Sequence, residues 1–314
     1  MYRTLDILNL VFAACSGLMA RIQSTLGPER LPLSYKVWDR MGMAPVPFHY
    51  YQPVFHTGKL NPQQFSRPDA MSGIEWNEQQ QLELLSEFQF QEELLEVPVN
   101  APAVNSLEFF YANHSYGPAD AEMLYNMVRH FKPAKVVEIG SGYSTRMLKK
   151  ALDVNKAEGV ASKHICIEPY EMPWLESLGV DEVVRLKVED VDPGVFKELK
   201  ANDILFIDSS HVLRMGGDVF VEYLQILPVL QQGVIIHIHD IFLPYDYPKD
   251  WVVDKRRFWT EQYLLQAFLA FNSSFRILAA VNYLAVHHSG KLADACPVYG
   301  ILGSGHGSFW MQRI

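Results

Sequence analysis

Two short apolar runs in this chain end in acids and histidines. Ile204 to Ile207 leads into Asp208-Ser209-Ser210-His211, and Val234 to Ile238 leads into His239-Asp240. If both runs are neighbouring parallel strands, Asp208, His211, His239 and Asp240 meet at one end of a sheet, where open α/β sheets bind their ligands. Two carboxylates in oxygen-rich surroundings suit magnesium or manganese, and added imidazoles shift the choice toward manganese, iron or zinc. The same group suits acid–base chemistry, because imidazole titrates near neutrality. His237 shares a strand face with His239 and reads as an alternating residue deeper in the strand.

A second group lies earlier. Lys135 to Lys150, KVVEIGSGYSTRMLKK, reads as a buried strand, a tight glycine turn and the start of a helix. Such a turn brings backbone amides close to a ligand. It is not the nicotinamide fingerprint, whose third glycine falls at Thr145, and it lacks the G-K-[ST] of a phosphate loop. Glu138 precedes Gly140, Ser141 and Gly142, and a carboxylate there repels phosphate but accepts hydrogen bonds from a cationic amino group. Glu168 ends the next apolar run, placed to accept two ribose hydroxyls. Glu189 and Asp190 end the third, where an acid or amide would meet an adenine amino group.

These residues need a frame. From about Asn113 the chain alternates. Strands are expected at 136–140, 164–168, 183–188, 204–208 and 234–240, with helices at 119–130, 145–153, 173–178, 193–199, 218–227 and 258–271. Short apolar strands between helices indicate a parallel sheet covered on both faces, an α/β doubly wound fold. Residues 275–281 and 308–314 would add two strands, separated by a variable loop of some 25 residues. Gly300, Gly303, Gly305 and Gly307 read as a flexible approach to the last of them. Residues 1–112 lack this rhythm and read as an N-terminal extension or cap, leaving 113–314 as the ligand-binding domain.

The turn E-x-G-x-G at Glu138–Gly142, D-S-S-H after strand four and H-D-I-F after strand five resemble bacterial class I S-adenosyl-L-methionine (SAM) dependent methyltransferases. The branch is similar to macrocin O-methyltransferase and cephalosporin-hydroxylase-like proteins, and the resemblance spans about Asn113 to Ala280. It implies a Rossmann-like sheet of seven strands with the last antiparallel. It implies SAM contacts from Glu138, Gly140, Ser141, Gly142 and Glu168, with Glu189, Asp190 and Asp208 completing the expected cofactor set. It implies magnesium on Asp208 and Asp240, and His211 as base. His239 stands where those enzymes carry an acid, so the expected metal set here is Asp208, His239 and Asp240, and the expected catalytic set is His211, Asp208 and His239. Magnesium, manganese, iron and zinc all stay open. The expectation is methyl transfer, to oxygen in preference to nitrogen, on a small-molecule or saccharide acceptor. A metal-dependent hydroxylase or hydrolase and a non-catalytic SAM-binding protein are the rivals.

A net charge of −9 over 314 residues argues against a nucleic-acid partner. Cys15, Cys166 and Cys296 are odd in number and widely spaced, which fits reduced thiols in a cytoplasmic protein. Leu5 to Ala20 is apolar but interrupted by Asp6 and Asn9, and it falls short of the ~20 residues that span a bilayer. It is expected to form an amphipathic helix against the body or a partner subunit, without stable membrane insertion. A homo-oligomer is left open. Ile241 to Asp254, rich in aromatics and proline, is expected to be a lid whose Tyr245, Tyr247 and Trp251 wall the acceptor pocket.

Overall fold

The computed structural model describes residues 2–102, 107–170 and 172–314. Seven strands form one sheet: β1 Lys135–Ile139, β2 Lys163–Ile167, β3 Glu182–Val184, β4 Ile204–Ile207, β5 Ile235–Ile238, β6 Phe275–Ala280 and β7 Phe309–Arg313. Their order is β3-β2-β1-β4-β5-β7-β6, with β7 antiparallel to both neighbours and all other pairs parallel. The order reverses direction between β1 and β4, which places a switch point at the glycine turn. β4 and β5 are buried at every position. Helices cover both faces of such a sheet, so neither face can be polar.

On one face Met123, Leu124, Met127 and Val128 of the helix Pro118–Phe131 pack with Met147, Leu148 and Ala151 of the helix Tyr143–Ala157. On the other, Val219, Tyr223, Leu227, Leu265 and Leu269 pack over Leu205, Ile207 and Ile236.

The chain divides into two compact units, residues 1–61 with 252–258, and residues 62–251 with 259–314. The change of rhythm near 113 therefore falls inside the larger unit. Residues 62–112 are built into its core: Leu85, Phe88, Leu94 and Val97 are buried. Gln81 Oε1 accepts from the backbone N–H of Ala280 on edge strand β6 at 2.8 Å. Buried Arg129 pairs with Glu93 at 2.9 Å, tying this segment to the helix that opens the alternating region. The helix Glu78–Glu87 thus occupies backbone that the sheet edge would otherwise leave unpaired.

Three further expectations change. The stretch between β6 and β7 is not a loop but three short helices, Val281–His287, Ser289–Ala295 and Pro297–Leu302. Helices this short are unstable alone and take their stability from packing; buried Leu284, Leu292 and Val298 supply it, and Glu122 accepts from the N–H groups of Val298 and Tyr299. The helix expected at 218–227 becomes a four-residue α-turn and a π-helix at Glu222–Ile226. The third strand stops at Val184, and Val188–Asp190 is a 3₁₀ turn.

In the smaller unit the helix Tyr2–Arg30 is longer than expected, with a break at Gly27-Pro28, and the helix Pro32–Arg40 comes next. No residue from 4 to 30 is buried, so the expected amphipathic packing is absent.

Candidate active site

Gly140 has φ +78°, and a Cβ there would lie 2.0 Å from the Asp208 carbonyl oxygen. Only glycine allows the β1 turn and the end of β4 to approach this closely. Glu138, fully buried, does not reach the cleft. It accepts from Ser144 Oγ at 2.9 Å and Thr145 Oγ1 at 3.0 Å, and lies 3.0 Å from His164 Nε2. Thr145 Oγ1 in turn accepts from Gly142 N–H at 2.9 Å. Glu138 therefore holds the turn in shape from beneath and does not line the cleft.

Above the turn lies a cleft of about 280 Å³, lined by Gly140, Glu168, Pro169, Tyr170, Glu189, Asp208, Ser210 and Asp218 among others. The Glu168 carboxylate accepts from the N–H groups of Ser141 at 3.1 Å and Tyr170 at 2.9 Å. These bonds aim it across the cleft mouth. Asp190 is exposed and does not line the cleft, because the 3₁₀ turn points Glu189 inward in its place. Of the expected cofactor residues, Gly140, Glu168, Glu189 and Asp208 line one cavity.

The ends of β4 and β5 are adjacent through the pair Ile207↔Ile238. His211 Nε2 lies 3.5 Å from both Asp208 and Asp240, and His211 Nδ1 lies 2.8 Å from Glu261 Oε2. His239 Nδ1 is 3.6 Å from both Asp208 and Asp240, and its Nε2 is 3.5 Å from Asp120. His211 and Asp240 both adopt positive φ, 60° and 57°. Strain of this kind at non-glycine residues collects at functional sites.

Burial disfavours a charge on His211, but Asp208 and Glu261 outweigh it and hold its pKa up at about 10. Against the same cost of burial, Asp240, Asp208 and Asp120 raise His239 well above its ordinary value. Burial pushes Asp240 and Glu261 upward, whereas the two imidazoles overcome burial to lower Asp208. With Glu222 hydrogen bonded to Ser209, five carboxyl groups meet two imidazoles here. That surplus of buried acid, presented as oxygen and imidazole donors, fits a divalent cation. Asp208, His211 and Asp240 offer donor atoms within 4.8 Å of one another, and His239 Nδ1, of the expected set, lies 3.6 Å from the same two carboxylates.

A family model described as a methyltransferase domain matches residues 137–241, the stretch from β1 through the acids after β5. That stretch is similar to a methyltransferase domain. A curated relative from Archaeoglobus fulgidus, described as an uncharacterized protein, is 28% identical over 170 residues, covering 50% of this chain and 75% of its own length. Among solved structures, the O-methyltransferase TomG from Streptomyces achromogenes, in complex with SAM, is similar with a TM-score of 0.37 at 15% identity, covering 77% of this chain and 91% of its own. An O-methyltransferase from Bacillus cereus is similar with a TM-score of 0.37 at 17% identity, covering 71% and 90%. Likenesses this loose add nothing to the sheet order described above.

On the other side of the acid–histidine cluster lies a cavity of about 560 Å³, lined by His239, Asp240, Asp120, His114, His306, Phe242 and Trp251 among others. This is within the range of small-molecule sites. Of the three aromatics expected here only Trp251 lines it. Tyr247 is buried and accepts from Gln262 N–H, and Tyr245 bonds His287 at 2.9 Å.

The remaining wall comes from residues that sequence reasoning missed. Asp120 accepts from the N–H groups of Gly307 and Ser308, and Gly305 meets Gly117 so closely that a Cβ on Gly305 would lie 2.4 Å from the Gly117 Cα. Gly305 therefore serves a close backbone contact, where a flexible approach was expected. The density of glycines before β7 was the available signal. Glu261, in the first turn of its helix, had none.

Proposed function

We propose that this methyltransferase moves the methyl group of SAM to an oxygen of a small acceptor seated in the 560 Å³ cavity. The observation that carries the reading is the position of the cluster: Asp208 lines the cofactor cleft, and His239 and Asp240 line the other cavity. A methyl donor in the first and a nucleophile in the second face each other across these side chains, and alignment of the two is the main thing such an enzyme supplies. Glu168 accepts the ribose hydroxyls, and the backbone of Gly140 to Gly142 gives the close approach.

Asp208, His211 and Asp240 would hold a divalent cation. When bound, it supplies positive charge that offsets the carboxylates and polarises an acceptor oxygen. His211 is then a ligand, locked at Nδ1 by Glu261. It lines neither cavity, so we transfer the role of base to His239. With a cation offsetting the Asp208 and Asp240 charges that otherwise keep His239 protonated, neutral His239 would take the acceptor proton at Nδ1, and Asp120 at Nε2 would favour the imidazolium so formed. The hydroxylase, hydrolase and non-catalytic readings gain no support from a cluster set between two cavities in a methyltransferase domain.

The test separates the two histidines. His239→Ala should keep its SAM affinity and metal content and lose roughly 10²–10⁴-fold in single-turnover rate. His211→Ala should lose metal content first. A His239→Ala enzyme with normal turnover, beside a metal-replete His211→Ala enzyme that has lost it, would return the base to His211.

A further inference from the structure

The helix Tyr2–Arg30 carries its apolar residues on every side. Leu8, Val11, Phe12 and Leu18 are each more than 60% exposed, and no residue from 4 to 30 is buried. A surface helix of a soluble protein keeps a polar face; one that is apolar all round is covered by protein or by lipid. Between Leu5 and Leu26 the only charged residues are Asp6 and Arg21, near the two ends, where a long basic side chain can reach headgroups. This stretch rises about 33 Å at ~1.5 Å per residue, against a hydrocarbon core about 30 Å thick. The helix breaks at Gly27-Pro28, and the segment beyond the break has the composition of a membrane interface. Tyr35 and Trp38 sit on the next helix, and Tyr50 and Tyr51 are 81% and 78% exposed. Residues 21–40 hold four cations, Arg21, Arg30, Lys36 and Arg40, against Glu29 and Asp39. Aromatic residues and a basic flank mark the cytoplasmic boundary of a membrane span.

We propose that the helix Tyr2–Arg30 anchors the enzyme in a lipid bilayer, with the basic and aromatic segment after it at the cytoplasmic surface. This replaces the expectation of a protein-packed helix without stable insertion, which rested on a shorter apolar run.

The test uses the full chain mixed with phosphatidylcholine vesicles and floated on a density gradient. The wild type should float and stay with the vesicles after an alkaline carbonate wash. Val11→Lys with Ala14→Lys, at the middle of the span, should reduce the floated fraction roughly tenfold or more, while SAM binding stays at the wild-type level and shows that the larger unit is folded. Wild type that stays at the bottom of the gradient, or leaves the vesicles in carbonate, overturns the proposal. So does a soluble oligomer that the double variant splits into monomers, which would give the helix to a second copy. An intact mass showing the helix removed from protein made in cells would identify a cleaved leader and also overturn it.

Discussion

Beside β1 and β2, most walls of the cleft above the glycine turn come from just beyond strand ends. Gly140, Glu168, Glu189 and Asp208 each follow an apolar run. Beside β5, His239, Asp240 and Phe242 follow a strand end, and His306 and Gly307 precede one. Asp120 and Trp251 come from two helices, and Asp120 meets Gly307 and Ser308 across more than 180 positions. The first kind of site is fixed by the sheet, and the second by packing of segments onto it. A fold that keeps its cofactor geometry can therefore change its acceptor by altering the second alone.

The largest effect should come where the two halves touch. Asp208→Asn removes the residue shared by the cleft and the cluster, and should lower the single-turnover rate by roughly 10²–10⁴-fold. Equal turnover in variant and wild type would mean that the halves are not joined there. Next, Glu168→Ala should weaken SAM by ~1.5–3 kcal/mol, the range for a charged hydrogen bond, leaving acceptor KM unchanged; calorimetry and steady-state kinetics read the two separately. Trp251→Ala should do the reverse at smaller scale. It should raise acceptor KM several-fold, within the roughly 1–3 kcal/mol of an apolar pocket contact, with SAM affinity unchanged. If both substitutions moved both ligands alike, the division of the site would be wrong.

The smallest effect concerns pH. Without a bound cation, Asp208 and Glu261 hold the pKa of His211 up at about 10 against the cost of burial, compared with about 6.5 for a free imidazole, and EDTA treatment sets that condition. Its contribution to stability is complete below the lower value and is lost as pH rises through the upper one. Melting temperature should therefore fall between about pH 7 and 10 more steeply in wild type than in His211→Gln; parallel curves would remove the buried ion pairs from the account.

The same contrast explains what could be read from the residues alone. The strand–turn–helix rhythm, the glycine turn and the acids after β2, β4 and β5 are local patterns, and the strands β1, β2, β4, β5 and β6 stand where apolar runs predict them. Asp120 and Glu261 have no local mark, because each acts through a histidine over 40 residues away. Glu138 misled for a related reason. Its place in the motif is fixed, but whether its carboxylate faces a ligand or Ser144, Thr145 and His164 depends on neighbours from another strand and from the helix. The three helices before β7 were lost because none is long enough to show a period.

The most direct test is a crystal structure of the protein with S-adenosylhomocysteine. The ribose hydroxyls should meet Glu168, and the sulfur should lie toward Asp208 and Asp240, with the 560 Å³ cavity open beyond them. A nucleoside bound in that cavity, or away from Glu168 in an enzyme that still transfers methyl groups, would contradict the assignment of the two halves.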